Sequence, residues 1–223
     1  MSGWKRSFRE PRSHPIADRE APYDWDMGLL DVILGKRKLA GPAPDRLFAI
    51  STAYVKFETE LGVTSRGSAA IVFQPLSNSD FQSIVSEMEE VVRGTASDSG
   101  VTVERSDDSY GFRWLVLRGK GFDDLVVGIN GVSSSLEAGG YGERVLCAVF
   151  AFEDNQKRPL YWIYNYKRGA FYPFVPAPAG AGGEVGAQQR DTERELVLKA
   201  QVGNELPVEA ELERWFPLWG IPI

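Results

Sequence analysis

Two amphipathic helical segments, set among alternating segments, constrain the fold more than any other feature of this sequence. A helix with one apolar stripe has to bury that stripe against a sheet or another helix. Asn78 or Ser79 can cap the first helix and Gly94 follows its end, while Gly139 and Gly140 stop the second. The stripes consist of Phe81, Ile84, Val85, Met88, Val91 and Val92 in the first helix, and of Phe122, Leu125, Val126, Ile129, Val132, Ser133 and Leu136 in the second. We therefore predict two helices that cover one face of a sheet.

The segments around these helices alternate apolar and polar residues, a pattern typical of half-buried strands. Short polar turns join several of them, and strands joined by short turns pair antiparallel. The predicted strands are 53–60, 68–74, 101–105, 110–118, 145–153 and 160–167. The prediction is an α+β fold, a two-layer sandwich with a mainly antiparallel sheet, built from strand–strand–helix units with the helices on one face. The pattern leaves the order of the strands open.

Composition divides the chain into a leader and one domain. Residues 1–26 hold several prolines, balanced charges and few apolar side chains, which predicts a disordered leader. Alternatively, Met27 is the true start. Residues 27–223 suit a single α+β domain, with a mobile loop over 176–190 that begins in proline, alanine and glycine. Residues 191–202 favour a helix, although their apolar residues also fit a strand.

Charge and the scarcity of histidine and cysteine exclude several classes of function. The chain has 25 Lys and Arg against 31 Asp and Glu, a net charge of −6, so no nucleic-acid partner is expected. His14 and Cys147 are the single residues of their types, which excludes an internal disulfide, multi-cysteine zinc sites and Ser–His or Cys–His catalysis. Cys147 lies in an alternating strand and is predicted to be a buried, inert thiol. We expect no metal site and no cofactor.

Carboxylates, lysines and tyrosines are the groups left for an enzyme to use. The adjacent pairs Asp107-Asp108 and Asp123-Asp124 fall in a turn and at a helix start, where turn and capping roles are favoured. The serines 133–135 permit close approach of another element. Alternatively, Ser134 and Glu137 make a polar contact with a partner.

The chain shows no run of roughly 18–20 apolar residues and no secretory signal, so we expect a cytoplasmic protein. Residues 28–35 form a short apolar segment of helical spacing, followed by three cations. That segment either docks on the core or contacts a membrane surface or a partner.

Aromatic residues crowd toward the C-terminus. The same residue types fill protein cores and dominate interface hot spots, so both interpretations stay open. Pro207 is predicted to open a short last helix. The aromatic residues are Tyr161, Trp162, Tyr164, Tyr166, Phe171, Tyr172 and Phe174, followed by Trp215, Phe216 and Trp219.

Several motifs spread along the chain carry a family resemblance. They are Met27-Gly28-Leu29-Leu30-Asp31 with Lys36-Arg37-Lys38, Tyr110-Gly111-Phe112-Arg113-Trp114, the helix of Ser133 to Glu137, Tyr166 to Phe174, Leu206-Pro207-Val208-Glu209, and Arg214 to Trp219. From about Met27 to its end, the chain resembles the PspA-associated protein PspAB family.

The resemblance implies a context more than a mechanism. It implies an association with PspA, the phage-shock protein that coats stressed membranes, and often with the membrane zinc protease HtpX. It carries no catalytic residues. We therefore expect a non-enzymatic adaptor, or alternatively a peptide-binding or chaperone-like module, at or near the inner face of the membrane. The residues chosen for partner contact are Leu29, Leu30, Ile33, Lys36, Arg37, Lys38, Tyr166, Lys167, Arg168, Phe171, Tyr172, Trp215 and Trp219.

Overall fold

The computed structural model describes residues 44–178 and 188–223. The predicted leader 1–26, the apolar segment 28–35 and the middle of the predicted loop 176–190 lie outside the described residues. Within them, single 3₁₀ turns occur at Gly142–Arg144 and Leu212–Arg214. The longer elements in chain order are α1 Pro44–Thr59, β1 Val63–Phe73, α2 Ser79–Ser99, β2 Thr102–Asp107, β3 Arg113–Arg118, α3 Phe122–Ala138, β4 Val145–Asp154, β5 Pro159–Asn165, β6 Ala170–Phe174 and α4 Thr192–Val202.

The strands form one open antiparallel sheet in the order β2-β3-β1-β4-β5-β6. This confirms the predicted α+β sandwich. The long strand β1 lies near the centre, and its pairing with β4 shifts register between Ser65 and Ala69. Gly67 sits inside this bulge at φ +67, a backbone conformation that glycine adopts without strain. Its carbonyl accepts a hydrogen bond from the Gly119 amide at 2.9 Å, which fixes the bulge against the end of β3.

The four helices that the structure describes all lie on one face of the sheet. α2 packs against α3, α3 against α1, and α1 against α4, so the helices follow the sheet from β2 toward β6. Their apolar stripes bury one face of the strands, with Phe57 stacked on Trp162 at 5.7 Å. The buried strand residues of this core are Val63, Ala69, Ile71, Phe73, Leu115, Leu117, Val145, Ala148, Phe150, Phe152, Leu160, Trp162, Tyr164 and Phe171.

The opposite face of the sheet is apolar as well, and none of the described helices covers it. Instead, the C-terminal segment, residues 207–223, packs against it through Val208, Trp215, Leu218, Trp219, Ile221 and Ile223. The strand residues of this second core are Ala70, Val72, Trp114, Val116, Val149, Ala151, Tyr161, Ile163, Tyr172 and Phe174. An irregular segment therefore covers the second apolar face, as a second layer of helices does in other folds.

The strand predicted over 53–60 is wrong, because these residues continue helix α1. Their alternation hides a helical stripe in which Leu47, Ile50 and Phe57 are buried on one side. Val55, which a half-buried strand would bury with Phe57, is 63% exposed. The helical reading of 191–202 is confirmed by α4.

Strand β6 is absent from the sequence prediction, and it contains Pro173, a residue found in strands mainly at sheet edges. β6 lies at the sheet edge, where the missing N–H of Pro173 faces away from β5. The helix predicted to open at Pro207 is also wrong, since Val208 forms a parallel bridge to Phe171 at that same edge.

Candidate partner-binding site

The outer edge of β6 and the residue that follows it are closed by two different pieces of chain, the C-terminal segment and α4. The Phe171 amide donates to the Pro207 carbonyl at 2.7 Å, and the Phe171 carbonyl accepts from the Glu209 amide at 2.8 Å. Beyond β6, the Val175 amide donates to Glu195 Oε1 at 2.9 Å. A sheet edge with free amides can pair with another strand. Here the C-terminal segment takes that position, and its backbone hydrogen bonds fix it beside β6.

A buried ion pair locks this arrangement. Glu195 is fully buried on α4, and Arg190 reaches it with Nη2–Oε2 at 2.7 Å and Nε–Oε2 at 2.9 Å. Burial raises the pKa of Glu195, while the Arg190 and Val175 hydrogen bonds oppose that rise. Arg190 Nη1 also donates to the Trp215 carbonyl at 2.6 Å. One guanidinium thus joins the C-terminal segment to Glu195 of α4, and Glu195 in turn binds the chain that follows β6.

The turn between β5 and β6 is held by hydrogen bonds to Asn165 and carries two cations. Asn165 Oδ1 accepts from the amides of Lys167 at 3.1 Å and Arg168 at 3.3 Å. The Asn165 carbonyl accepts from the Gly169 amide at 2.8 Å, and Gly169 adopts φ +61. The backbone of this hairpin therefore holds Lys167 and Arg168 in place.

These two cations differ in their partners. Arg168 Nε donates to Glu209 Oε2 at 2.8 Å, and Glu209 is buried. Burial raises the pKa of Glu209, but the hydrogen bonds from Arg168 and the Glu211 amide outweigh it, and the net shift is downward. Lys167 is half-buried, and burial lowers its pKa against the opposing charge of Glu143. Arg168 thus stabilises the fold through its ion pair, whereas the charge of Lys167 lies at the surface.

Most of the aromatic residues chosen for partner contact lie in the two cores. Tyr166, Phe171, Tyr172 and Trp215 are at most 6% exposed, so they offer almost no area to a partner in this conformation. Trp219 is half-buried, with its ring edge-on to Phe174 at 5.0 Å.

The structure does not gather the chosen residues into one surface. The hairpin cations lie before β6, whereas Trp219 contacts Phe174 at the far end of that strand, and Leu29, Leu30, Ile33, Lys36, Arg37 and Lys38 lie outside the described residues. The roles of Lys167, Arg168 and Trp219 in partner contact stay predictions.

Two tyrosine hydroxyls are buried; that of Tyr164 has no hydrogen-bond partner, whereas that of Tyr166 faces the Ser133 hydroxyl, which opposes the rise in its pKa. Tyr164 and Tyr166 point into the helical core, and their rings meet edge-to-face at 5.0 Å. Burial raises the pKa of Tyr164 to about 12 and that of Tyr166 above its ordinary value. Both phenols therefore stay protonated and serve as packing groups.

Asp108 has the turn role that the sequence predicted for the Asp107-Asp108 pair, whereas Asp107 is the last residue of strand β2. Asp108 Oδ1 accepts from the amides of Tyr110 and Phe112, both at 2.9 Å, and Asp108 Oδ2 accepts from the Trp114 indole at 2.9 Å. Asp107 pairs with Arg113 at 2.7 Å. The two carboxylates therefore point apart and bind protein groups.

Cys147 is a free thiol on β4 and is half-buried rather than fully buried as predicted; the burial that it has raises its pKa to about 12, which makes it a poor nucleophile. In the part of the chain that the structure describes, no group of three or more His, Cys, Asp or Glu side chains is placed to hold a metal ion. None of the described helices has the length and apolar character needed to cross a bilayer.

A family model described as PspA associated protein B, PspAB, matches residues 27–223. The chain belongs to this family. No curated protein and no solved structure matches the chain. The PspAB match includes the β2–β3 turn, the β5–β6 hairpin and the whole C-terminal segment.

Sequence reasoning missed the polar groups that fix the C-terminal segment. Arg190, Glu195 and Glu209 are separated along the chain, and their partners become visible only once β6 forms the sheet edge. The motif Leu206-Pro207-Val208-Glu209 was the available signal, because it joins an edge-pairing residue to the carboxylate that holds Arg168.

Proposed function

We propose that the chain is a non-enzymatic adaptor that binds PspA in an envelope-stress response. The observation that carries this proposal is the family match over residues 27–223, whose description names association with PspA. A membrane protease of the HtpX type is the alternative partner within the same role. The adaptor acts in the cytoplasm, peripheral to the inner face of the membrane, with weak membrane-surface contact through residues 28–38.

The use of ionisable side chains in the fold supports binding rather than bond-making chemistry. Glu195 and Glu209 each hold an arginine, and Asp108 and Asp154 hold turn amides. Groups whose hydrogen bonds already maintain the fold are poorly placed to exchange protons with a substrate.

Calorimetric titration of purified PspA into the full chain tests this proposal. We expect saturable binding, and we expect Lys167→Glu to weaken it at least about tenfold if the hairpin cation lies in the contact. Lys157→Glu is the matched control, because the Lys157 side chain is 75% exposed and carries the same charge in the turn at the other end of β5. Absence of both binding heat and co-elution would contradict the adaptor role. Equal weakening by the two substitutions would remove Lys167 from the contact.

A second candidate function, a peptide-binding or chaperone-like module, is favoured by the free edge of the sheet. β2 is the terminal strand, and among the described residues no backbone hydrogen bond joins its outer edge to another segment. Extended peptides can add to such an edge. Saturable binding of unfolded peptides by a chain that does not bind PspA would favour this function.

A further inference from the structure

The last eight residues, 216–223, cover part of the sheet face that carries no helices; we call them the tail. Beneath the C-terminal segment, Val116, Ala151 and Phe174 are at most 2% exposed. No residue of the tail is itself fully buried: Pro217 and Gly220 are exposed, and the other six are half-buried. The tail is therefore a cover on the second core rather than a part of it.

Few polar contacts hold the tail. Among the described residues, no backbone N–H of 216–223 donates to a protein acceptor, and the Pro222 carbonyl accepts one hydrogen bond, from Arg118 Nη2 at 3.1 Å. The residue just before the tail is held far more firmly. Trp215 is 3% exposed, its carbonyl binds Arg190, and its indole donates to the Glu209 carbonyl at 3.0 Å. The change from fixed to loosely held chain therefore falls after Trp215.

The chemistry of the tail is uniform. Its sequence, Phe-Pro-Leu-Trp-Gly-Ile-Pro-Ile, has no charged side chain, and two prolines and a glycine disfavour both a helix and a regular strand. The face beneath matches it, since the contact between Trp219 and Phe174 is purely aromatic. The tail thus shows the kind of segment that binds this face: uncharged and rich in proline and aromatic residues.

We propose that this face is a binding site for an uncharged segment, rich in proline and aromatic residues, of a partner protein, and that the tail occupies the site until the partner displaces it. The inference rests on the proposed function, with PspA as the protein that supplies the segment. If the tail left the face without a replacement, apolar surface would be exposed to water, which is unfavourable. The tail therefore leaves when another apolar segment takes its place. Occupancy by the tail raises the partner's apparent dissociation constant.

The test uses a fluorescently labelled peptide of residues 216–223, titrated with the full chain and followed by anisotropy. Trp219→Ala combined with Ile221→Ala weakens the tail and leaves the face intact. We expect this variant to bind the peptide at least about tenfold more tightly than the wild type, because less tail competes for the face. Leu212→Ala is the control, since Leu212 is 42% exposed and lies before the tail, and we expect it to leave the peptide's affinity unchanged.

Circular dichroism establishes that each variant is folded. Ile221→Ala alone removes less apolar surface, and we expect the same direction of change, by about threefold. Equal affinity of wild type and variants for the peptide, or no binding by any of them, would overturn the proposal. A wild-type dimer that the double substitution converts to a monomer would also overturn it, because the tail would then serve a second copy of the chain.

The PspA titration separates this inference from the proposed function. We expect the double variant to bind PspA more tightly by the same factor as the peptide, because in this proposal Trp219 competes with the partner instead of contacting it. PspA that binds wild type and double variant equally would overturn its assignment to this face, with the adaptor role intact. Peptide binding without any PspA binding would instead contradict the adaptor role.

Discussion

Asp154 shows how a single carboxylate joins the helical layer to the sheet. Its Oδ1 accepts from the amides of Gln156 and Arg158, both at 2.9 Å, and its Oδ2 accepts from Arg194 Nη2 on α4 at 2.7 Å. Burial raises the pKa of Asp154, but the Arg158 hydrogen bonds and the Arg194 charge outweigh it, so the pKa falls below its ordinary value of 3.8. The ionised form is therefore the one that stabilises the fold.

We expect Asp154→Asn to lower the free energy of unfolding at pH 7 by about 2 kcal/mol, because charge-assisted hydrogen bonds are lost. Because the pKa of Asp154 is lower in the folded state than in the unfolded state, its ionised carboxylate stabilises the fold at pH values above the unfolded-state pKa. This contribution disappears as the pH falls through the folded-state pKa. The difference between wild type and variant should thus narrow below about pH 4. Urea unfolding of wild type and variant from pH 7 to pH 2.5 measures this difference in the free energy of unfolding. Glu153→Gln, on the same hairpin, is the control, and parallel curves for Asp154→Asn and wild type would contradict the assignment.

Residue roles differ in how far the sequence reveals them. The turn role of Asp108 follows from neighbours within six positions, so spacing alone predicted it. Glu195 gave no such signal, because its carboxylate accepts from Val175, twenty positions away, across an edge that exists only in the folded sheet. Local chemistry is readable from sequence, whereas a buried acceptor depends on topology.

At the scale of elements, two glycines with opposite demands test how the hairpin and α3 are built. Gly169 adopts φ +61, and a Cβ there would lie 3.1 Å from Arg46 Nη1. Gly131 lies within α3, and a Cβ there would meet no atom within 4 Å. The hairpin therefore requires its glycine, whereas the helix does not.

We expect Gly169→Ala to destabilise the chain by about 1–2 kcal/mol through backbone strain. Gly131→Ala should stabilise it by about 0.5–1 kcal/mol, since alanine restricts the unfolded chain and favours a helix. The midpoints of urea unfolding compare the stabilities of the two variants under one condition, provided that the slopes (m-values) of the transitions are unchanged. A Gly169→Ala variant as stable as the wild type would contradict the hairpin geometry, and a destabilised Gly131→Ala variant would contradict the open space at that helix position.

Elements with a strong period were predicted, and those set by tertiary context were not. The stripes of α2 and α3 and the alternation of β2 to β5 decide their structure locally. In contrast, 53–60 carries both periods, and packing of Phe57 against Trp162 selects the helix. β6 and the C-terminal segment depend on the sheet edge and on its second apolar face, which no single segment of sequence records.

At the scale of the molecule, the two cores share the same strands. Val149 and Phe150 are neighbours in β4 and are both fully buried, yet they point to opposite faces of the sheet. A strand cannot lose its packing on one face and keep its place in the other core. The covered second face should therefore unfold together with the helical face.

We expect Val149→Ala to destabilise the chain by about 2 kcal/mol, because it leaves a cavity in the second core. Calorimetry should still show one transition, with equal van't Hoff and calorimetric enthalpies, at a lower temperature than in the wild type. Val127→Ala is the matched control, since Val127 is 53% exposed on α3 and its truncation should change stability by less than about 0.5 kcal/mol. A second, earlier transition in Val149→Ala would show instead that the C-terminal cover and the face beneath it melt apart from the helical layer.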